Sequence, residues 1–166
     1  PLLALLASCG KNEDCDIVTP QPEDLVSPAL YATLSQSSTD PYNGPLEVLP
    51  CETNGSFYIG NYTAKGKQVP FPAYYLITNG IGKSQKYPLR LPVGTYNVIY
   101  WGYPDYFGTA GDAYLADPTL IIGKKLNTTS LGLRKIPGDT VYYPIHSLVY
   151  GTQNINIGKD DLQAHL

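Results

Sequence analysis

Short apolar runs that alternate with polar residues are the feature that most limits how this chain can fold. In 95–102, Tyr96, Val98 and Tyr100 occupy every second position, which is the two-residue period of a strand. Similar runs recur at 29–36, 55–62, 73–80, 87–94, 95–102, 118–123, 130–135, 140–151 and 153–158. Because no helical pattern lies between them, the sequence predicts an all-β, two-sheet sandwich.

Turn signals separate these runs and support the same fold class. They are Asn54-Gly55, Asn79-Gly80, Pro92-Val93-Gly94 and Pro137-Gly138-Asp139, all typical of turns. The chain holds 15 Tyr, 15 Pro and 16 Gly, which suits strands punctuated by turns. An apolar fraction of 43% argues against a disordered chain.

Charge and motif content exclude several functions. The net charge is −3 and no basic face is apparent, so we expect no nucleic-acid partner. The sequence lacks a Gly-rich phosphate loop, a His-Glu-x-x-His motif and a Gly-x-Ser-x-Gly motif. We therefore expect no enzyme, no catalytic residue and no cofactor.

Single polar residues give no stronger indication of catalysis or metal binding. His146 lies in a run rich in Tyr and Val, where a structural or surface histidine is the better interpretation. Asp105 and Asp139 follow turn-forming residues and are interpreted as turn formers. The cysteine spacings match no zinc pattern, and the two histidines are His146 and His165. We expect no metal site.

The amino-terminal stretch predicts a location. Residues 2–7 are too few for a membrane span, which needs about 20 apolar residues, but they fit the end of a signal-peptide apolar region. Leu6, Ala7, Ser8 and Cys9 resemble the bacterial lipobox, which implies cleavage before Cys9 and lipidation of its thiol. The alternative is a buried helix with an incidental cysteine. The acidic stretch 10–14 resembles the export signal of Bacteroidetes surface lipoproteins.

Two further cysteines, Cys15 and Cys51, remain after Cys9. An extracytoplasmic setting permits a disulfide between them. Two separate thiols are the alternative, and the sequence does not decide between the two.

Aromatic residues cluster at the end of the run 95–102 and in the loop after it. We interpret them as a candidate binding surface for sugar rings or an incoming strand, because rigid sandwiches often bind through loops. The alternative is that they close the end of the core. The residues are Tyr100, Trp101, Tyr103, Tyr106 and Phe107.

The segment 89–102 resembles a turn found in prealbumin-like (transthyretin-like) sandwiches. In this arrangement Leu91 fills the core, and Pro92 and Gly94 reverse the chain. Tyr96 and Val98 are then expected to return to the same face.

Several segments together with the lipobox resemble the fimbrillin-like lipoproteins of the Bacteroidetes, FimB/Mfa-type fimbrial anchor and accessory subunits. They are "LPVGTYNVIYWG", "DPTLIIGKKL", "LGLRKIPGDTVYYPIHSLVYG" and "NINIGKDDLQAHL". The resemblance implies a prealbumin-like amino-terminal sandwich, a lipid anchor in the outer membrane and fimbrial partners. It also implies assembly by strand addition to an open sheet edge, although the sequence does not indicate which edge.

The expected organisation has four parts. Residues 1–8 are a truncated lipoprotein signal peptide, 9–24 a lipidated tether and 25–158 the β-sandwich. Residues 159–166 begin a further truncated element. Asp160 or Asp161 as cap and the four-residue spacing of Leu162 and Leu166 predict that a helix starts there. Because the sequence contains no Met, its amino end is expected to be cut short, and because it stops where that helix would begin, we expect a fragment open at both ends.

The alternative function is that of a surface lipoprotein that binds glycans through the aromatic loop 100–108.

Overall fold

The computed structural model describes residues 20–33, 39–53, 57–84, 87–104, 115–116, 119–144, 147–158 and 163–165. Within these ranges the helical structure is confined to two short 3₁₀ turns, Pro22–Asp24 and Leu126–Thr128. The all-β prediction is therefore confirmed. The prealbumin-like topology stays a prediction.

Thirteen strands are found in the described ranges. They are β1 (Leu25–Val26), β2 (Ala29–Tyr31), β3 (Gly44–Cys51), β4 (Asn61–Tyr62), β5 (Gln68–Val69), β6 (Ala73–Thr78), β7 (Ile81–Ser84), β8 (Leu91–Pro92), β9 (Gly94–Gly102), β10 (Leu115–Ala116), β11 (Gly132–Leu133), β12 (Val149–Ile157) and β13 (Gln163–His165).

Seven of these strands form one large sheet in the order β12-β9-β3-β6-β7-β2-β13. Neighbouring strands are antiparallel except β13 and β2, which run parallel. Three two-stranded sheets accompany it, formed by β1 with β8, β4 with β5, and β10 with β11.

The large sheet must curl, because its two end strands follow each other in the chain. Residues 158–162 alone connect β12 to β13. Six strand spacings would make a flat sheet about 29 Å wide, whereas the six Cα steps between the two strands reach at most about 21 Å. In agreement with this limit, β13 contacts β12 while pairing with β2.

The central strand β3 is buried on both faces of the sheet, and all eight of its residues are buried. Leu46 and Val48 point to one side, called the first face, and belong to the larger hydrophobic cluster. Leu49 points to the opposite side, called the second face, and belongs to a smaller cluster. The fold thus has two apolar layers that share one strand.

Two prolines, Pro45 and Pro50, lie inside this central strand without interrupting its ladders. The ladder with β9 begins at Leu46, and the ladder with β6 ends at Val48. The Pro45 carbonyl accepts from Tyr103 N on the β9 side (3.3 Å), and the Pro50 carbonyl accepts from Ile59 N (3.1 Å) beyond the end of β6. Because N–H and C=O of one residue point the same way in an antiparallel strand, each missing N–H falls just outside a ladder.

The first-face core packs between the large sheet and the small sheets β1–β8 and β4–β5. As predicted, Leu91 is fully buried there, and Val98 lies on this face with Tyr96 packed against the same cluster. The buried members are Leu30, Ala32, Tyr42, Leu46, Val48, Ala73, Tyr75, Ile77, Leu89, Leu91, Val98, Ile155 and Ile157.

Some predicted elements are wrong. The run 118–123 forms no strand in its described residues, whereas β3 and β7 were not among the predicted runs. The expected helix start near the carboxyl end is also wrong, since Gln163–His165 is a strand paired with Ala29–Tyr31. Pairing with an existing strand offers backbone partners that an isolated helical turn lacks.

The buried tyrosines of the two cores differ in whether their hydroxyl groups form hydrogen bonds. In the second-face cluster Tyr58 is fully buried, and its hydroxyl has no hydrogen-bond partner in the described part of the chain. In the first-face cluster the Tyr75 hydroxyl accepts from Leu89 N at 2.7 Å. Burial raises the pKa of both phenols, that of Tyr75 to about 12.

We predict that Tyr58→Phe raises the free energy of unfolding by about 1 kcal/mol, because it removes a buried polar group that lacks a protein partner. Tyr75→Phe deletes the same atom but leaves Leu89 N–H without its acceptor, so it should lower that free energy by about 1–2 kcal/mol. Equilibrium urea unfolding of both variants measures the difference. Equal destabilisation by the two substitutions would contradict this account of the cores.

Candidate functional site

Strand β12 lies at one end of the large sheet and pairs with β9 along all nine of its residues. Its sequence, VYGTQNINI, contains no charge and no proline, and its continuous register with β9 leaves no bulge along its length. Natural sheets usually protect such edges with lysine, proline, bulges or short length. The nine residues of β12 include none of those devices, although β13 contacts this strand while pairing with β2.

The alternation of the ladders identifies which amides of β12 face outward. Tyr103 N donates to Pro45 O, so the odd-numbered residues of β9 bond to β3 and the even-numbered ones bond to β12. In the register, even residues of β9 oppose odd residues of β12, such as Tyr100 with Gly151. The N–H and C=O groups of Tyr150, Thr152, Asn154 and Asn156 therefore point away from the sheet.

Polar side chains tie β12 to β9 on the second face. Thr152 Oγ1 donates to Asn97 Oδ1 at 2.9 Å, and Asn97 Nδ2 donates to Asn154 Oδ1 at 3.1 Å. Thr95 Oγ1 donates to Asn156 Oδ1 at 2.6 Å. These bonds hold the edge strand in place without using its outward backbone groups.

A cavity of about 190 Å³ lies on the second face, beside this edge. Strands β3, β9 and β12 contribute Leu49, Ile99, Trp101 and Tyr150. The segment 119–131 contributes Leu120, Leu126 and Leu131, with the polar residues Asn127, Thr129 and Ser130. No charged side chain lines it among the described residues. Its wall is mainly apolar.

Tyr150 connects the cavity with the edge. It is 65% exposed and stands in one cross-strand row with Trp101 and Glu47. Trp101 is only 4% exposed, and the Glu47 side chain is buried at 8%. Tyr150 is therefore the accessible member of a row whose other members lie inside the fold.

The described residues of the predicted aromatic surface lie on opposite faces of the large sheet. Tyr100 lies on the first face, and its ring covers Gly151 of the neighbouring strand. Trp101 and Tyr103 are buried in the second-face cluster, in line with the alternative that these residues close the core. Tyr106 and Phe107 lie outside the described residues, and the binding-surface interpretation stays a prediction.

The lipobox residues Leu6, Ala7, Ser8 and Cys9 also lie outside the described residues, as does Cys15. Cys51 is fully buried, and its Sγ donates to Leu49 O at 3.7 Å. Burial, with a smaller contribution from the nearby Glu52 charge, raises the pKa of the Cys51 thiol to about 12. The Cys15–Cys51 disulfide stays a prediction.

Sequence patterns alone did not identify the edge or the cavity. The alternation of Asn and Ile in 153–158 did indicate a strand with one polar and one apolar side. Because the sequence predicts 140–151 and 153–158 as two separate runs, it does not predict β12 as one strand of nine residues. The predicted runs 118–123 and 130–135 place Leu120 and Leu131 in strands rather than in a cover over the sheet, and no predicted run includes Leu126.

Within the described ranges, no cluster of three or more His, Cys, Asp or Glu side chains could hold a metal ion. No helix in those ranges is long and apolar enough to cross a membrane.

Comparison with known proteins identifies a family for this chain. A family model described as fimbrillin-A associated anchor proteins Mfa1 and Mfa2 matches residues 18–166. No curated protein and no solved structure matches the chain.

Proposed function

The chain belongs to the fimbrillin-A associated anchor proteins, and on that premise we propose that it is an outer-membrane lipoprotein that anchors a fimbria or serves as its accessory subunit. The family is a structural one, associated with other fimbrial subunits at the cell surface. The proposal extends this role to a lipid anchor at Cys9 and to assembly through the edge of β12.

The proposed anchor is a lipid attached to Cys9 in the amino-terminal stretch. Acylation of a lipobox cysteine attaches several fatty-acid chains, and more than one chain is needed for stable membrane binding. The polar stretch 9–24 would then act as the tether between the lipid and the folded domain. This arrangement requires no membrane-spanning helix and no further cofactor.

In this proposal, a partner subunit binds to the outward backbone N–H and C=O groups of β12. An extended partner segment can add to an exposed edge and gain main-chain hydrogen bonds. The single observation that supports this most strongly is the composition and register of β12, nine uncharged residues paired to β9 without proline or bulge. The proposed role is structural and involves no catalysis.

We predict that Cys9→Ala abolishes incorporation of a labelled fatty acid, because the alanine offers no thiol to be acylated. Cys15→Ala is the matched control and should keep full labelling. Metabolic labelling followed by purification of the protein measures both. Continued labelling of Cys9→Ala would refute the anchor.

We predict that Thr152→Pro abolishes copurification with sheared fimbriae. Proline removes an outward N–H and blocks an incoming strand, while the β9 ladder uses the odd-numbered residues of β12 and is retained. Thr152→Val is the matched control, since it loses the same hydroxyl bond to Asn97 but keeps the N–H.

Circular dichroism of the purified variants establishes that both are folded before the comparison is made. Wild-type copurification by folded Thr152→Pro would show that assembly does not use this edge. Loss in both variants would assign the effect to the Thr152 side chain rather than to strand addition.

A further inference from the structure

The cavity on the second face adjoins the edge at which the proposed function adds a strand. Tyr150 belongs to both, since its outward backbone borders the edge and its side chain lines the cavity. Tyr150 is 65% exposed although its side chain lines a mainly apolar hollow. The two features are continuous.

A strand paired to β12 would bring one of its own side chains to this point. Directly opposed residues of paired strands have Cβ atoms about 4.5–5.5 Å apart and lie on the same face. The residue opposite Tyr150 would therefore lie on the second face, in the row that runs through Trp101. That position borders Tyr150, the residue of the cavity wall that lies on the edge strand.

The size and chemistry of the cavity limit what this side chain can be. A dry apolar cavity of about 150 Å³ holds a benzene ring, so about 190 Å³ accommodates one leucine-sized to phenylalanine-sized group. A charged side chain would lose its hydration without a counter-charge from the described walls, since none of the described lining residues is charged. Asn127, Thr129 and Ser130 supply only neutral polar groups.

We infer that the cavity is a specificity pocket that receives one uncharged apolar side chain from the partner segment paired to β12. This inference rests on the proposed function and names the partner's chemistry: an extended segment with a leucine-sized or phenylalanine-sized residue opposite Tyr150. The backbone bonds of β12 supply attachment, and the pocket selects the segment and fixes its register.

The pocket can be tested with a side-chain analogue, because Trp101 is the single tryptophan of the chain and lines the cavity. Toluene, the analogue of phenylalanine, is titrated while Trp101 emission is recorded. Thr129→Phe fills the pocket, and Leu131→Phe is a second filling variant in case the first does not fold. Thr140→Phe, at an exposed site that does not line the cavity, is the matched control.

We expect toluene to shift Trp101 emission saturably in the wild type and in Thr140→Phe, and not in the filling variant. Copurification with sheared fimbriae should fall about tenfold or more in the filling variant alone, the loss expected when one buried apolar contact is removed. No response to toluene in the wild type would overturn the inference.

Other outcomes separate the inference from the proposed function. If Thr152→Pro abolishes copurification and the filling variant retains it, the edge stands and the pocket is refuted. If toluene binds but filling the pocket leaves copurification unchanged, the cavity is a site for a free small molecule, which also overturns the inference. Full copurification by Thr152→Pro would instead remove the proposed function on which the inference rests.

Discussion

Burial of β3 on both of its faces is the constraint on which the rest of the structure depends. A strand covered on one side needs one core, whereas this one requires apolar layers above and below the sheet. The first layer is supplied by the small sheets, and the second by Tyr58 and the leucines of 119–131. The cavity beside Trp101 is the part of the second layer that these leucines leave unfilled.

The sequence predicted the fold class and much of the first-face core, because alternation and turn chemistry are local signals. The roles expected of Leu91, Tyr96 and Val98 are those observed. The central strand was missed for an equally local reason, since prolines argue against a central strand. Only the strand register shows that the places where Pro45 and Pro50 lack an N–H group lie just beyond the ends of the two ladders. The helix expected at the carboxyl end failed because strand pairing with β2 outweighed a short leucine spacing.

The candidate site could be predicted only in part. Family resemblance led to the expectation of an open edge, and the alternation of Asn and Ile indicated a strand near the carboxyl end. Which strand ends the sheet is a property of long-range pairing, and that pairing depends on the curl imposed by the five-residue connection 158–162. Because successive side chains of a strand point to opposite faces, Tyr100 and Trp101 of β9 are neighbours in sequence but belong to separate cores.

Amide hydrogen exchange along β12, followed by NMR in the free protein and in its complex with fimbrial subunits, tests the central claim most directly. In the free protein the amides of Gly151, Gln153 and Ile155 should be protected by β9, while those of Tyr150, Thr152 and Asn154 should exchange rapidly. In the complex the rapidly exchanging set should become protected, which gives six consecutive protected amides from Tyr150 to Ile155. Outward amides that exchange equally fast in the complex would contradict assembly through this edge.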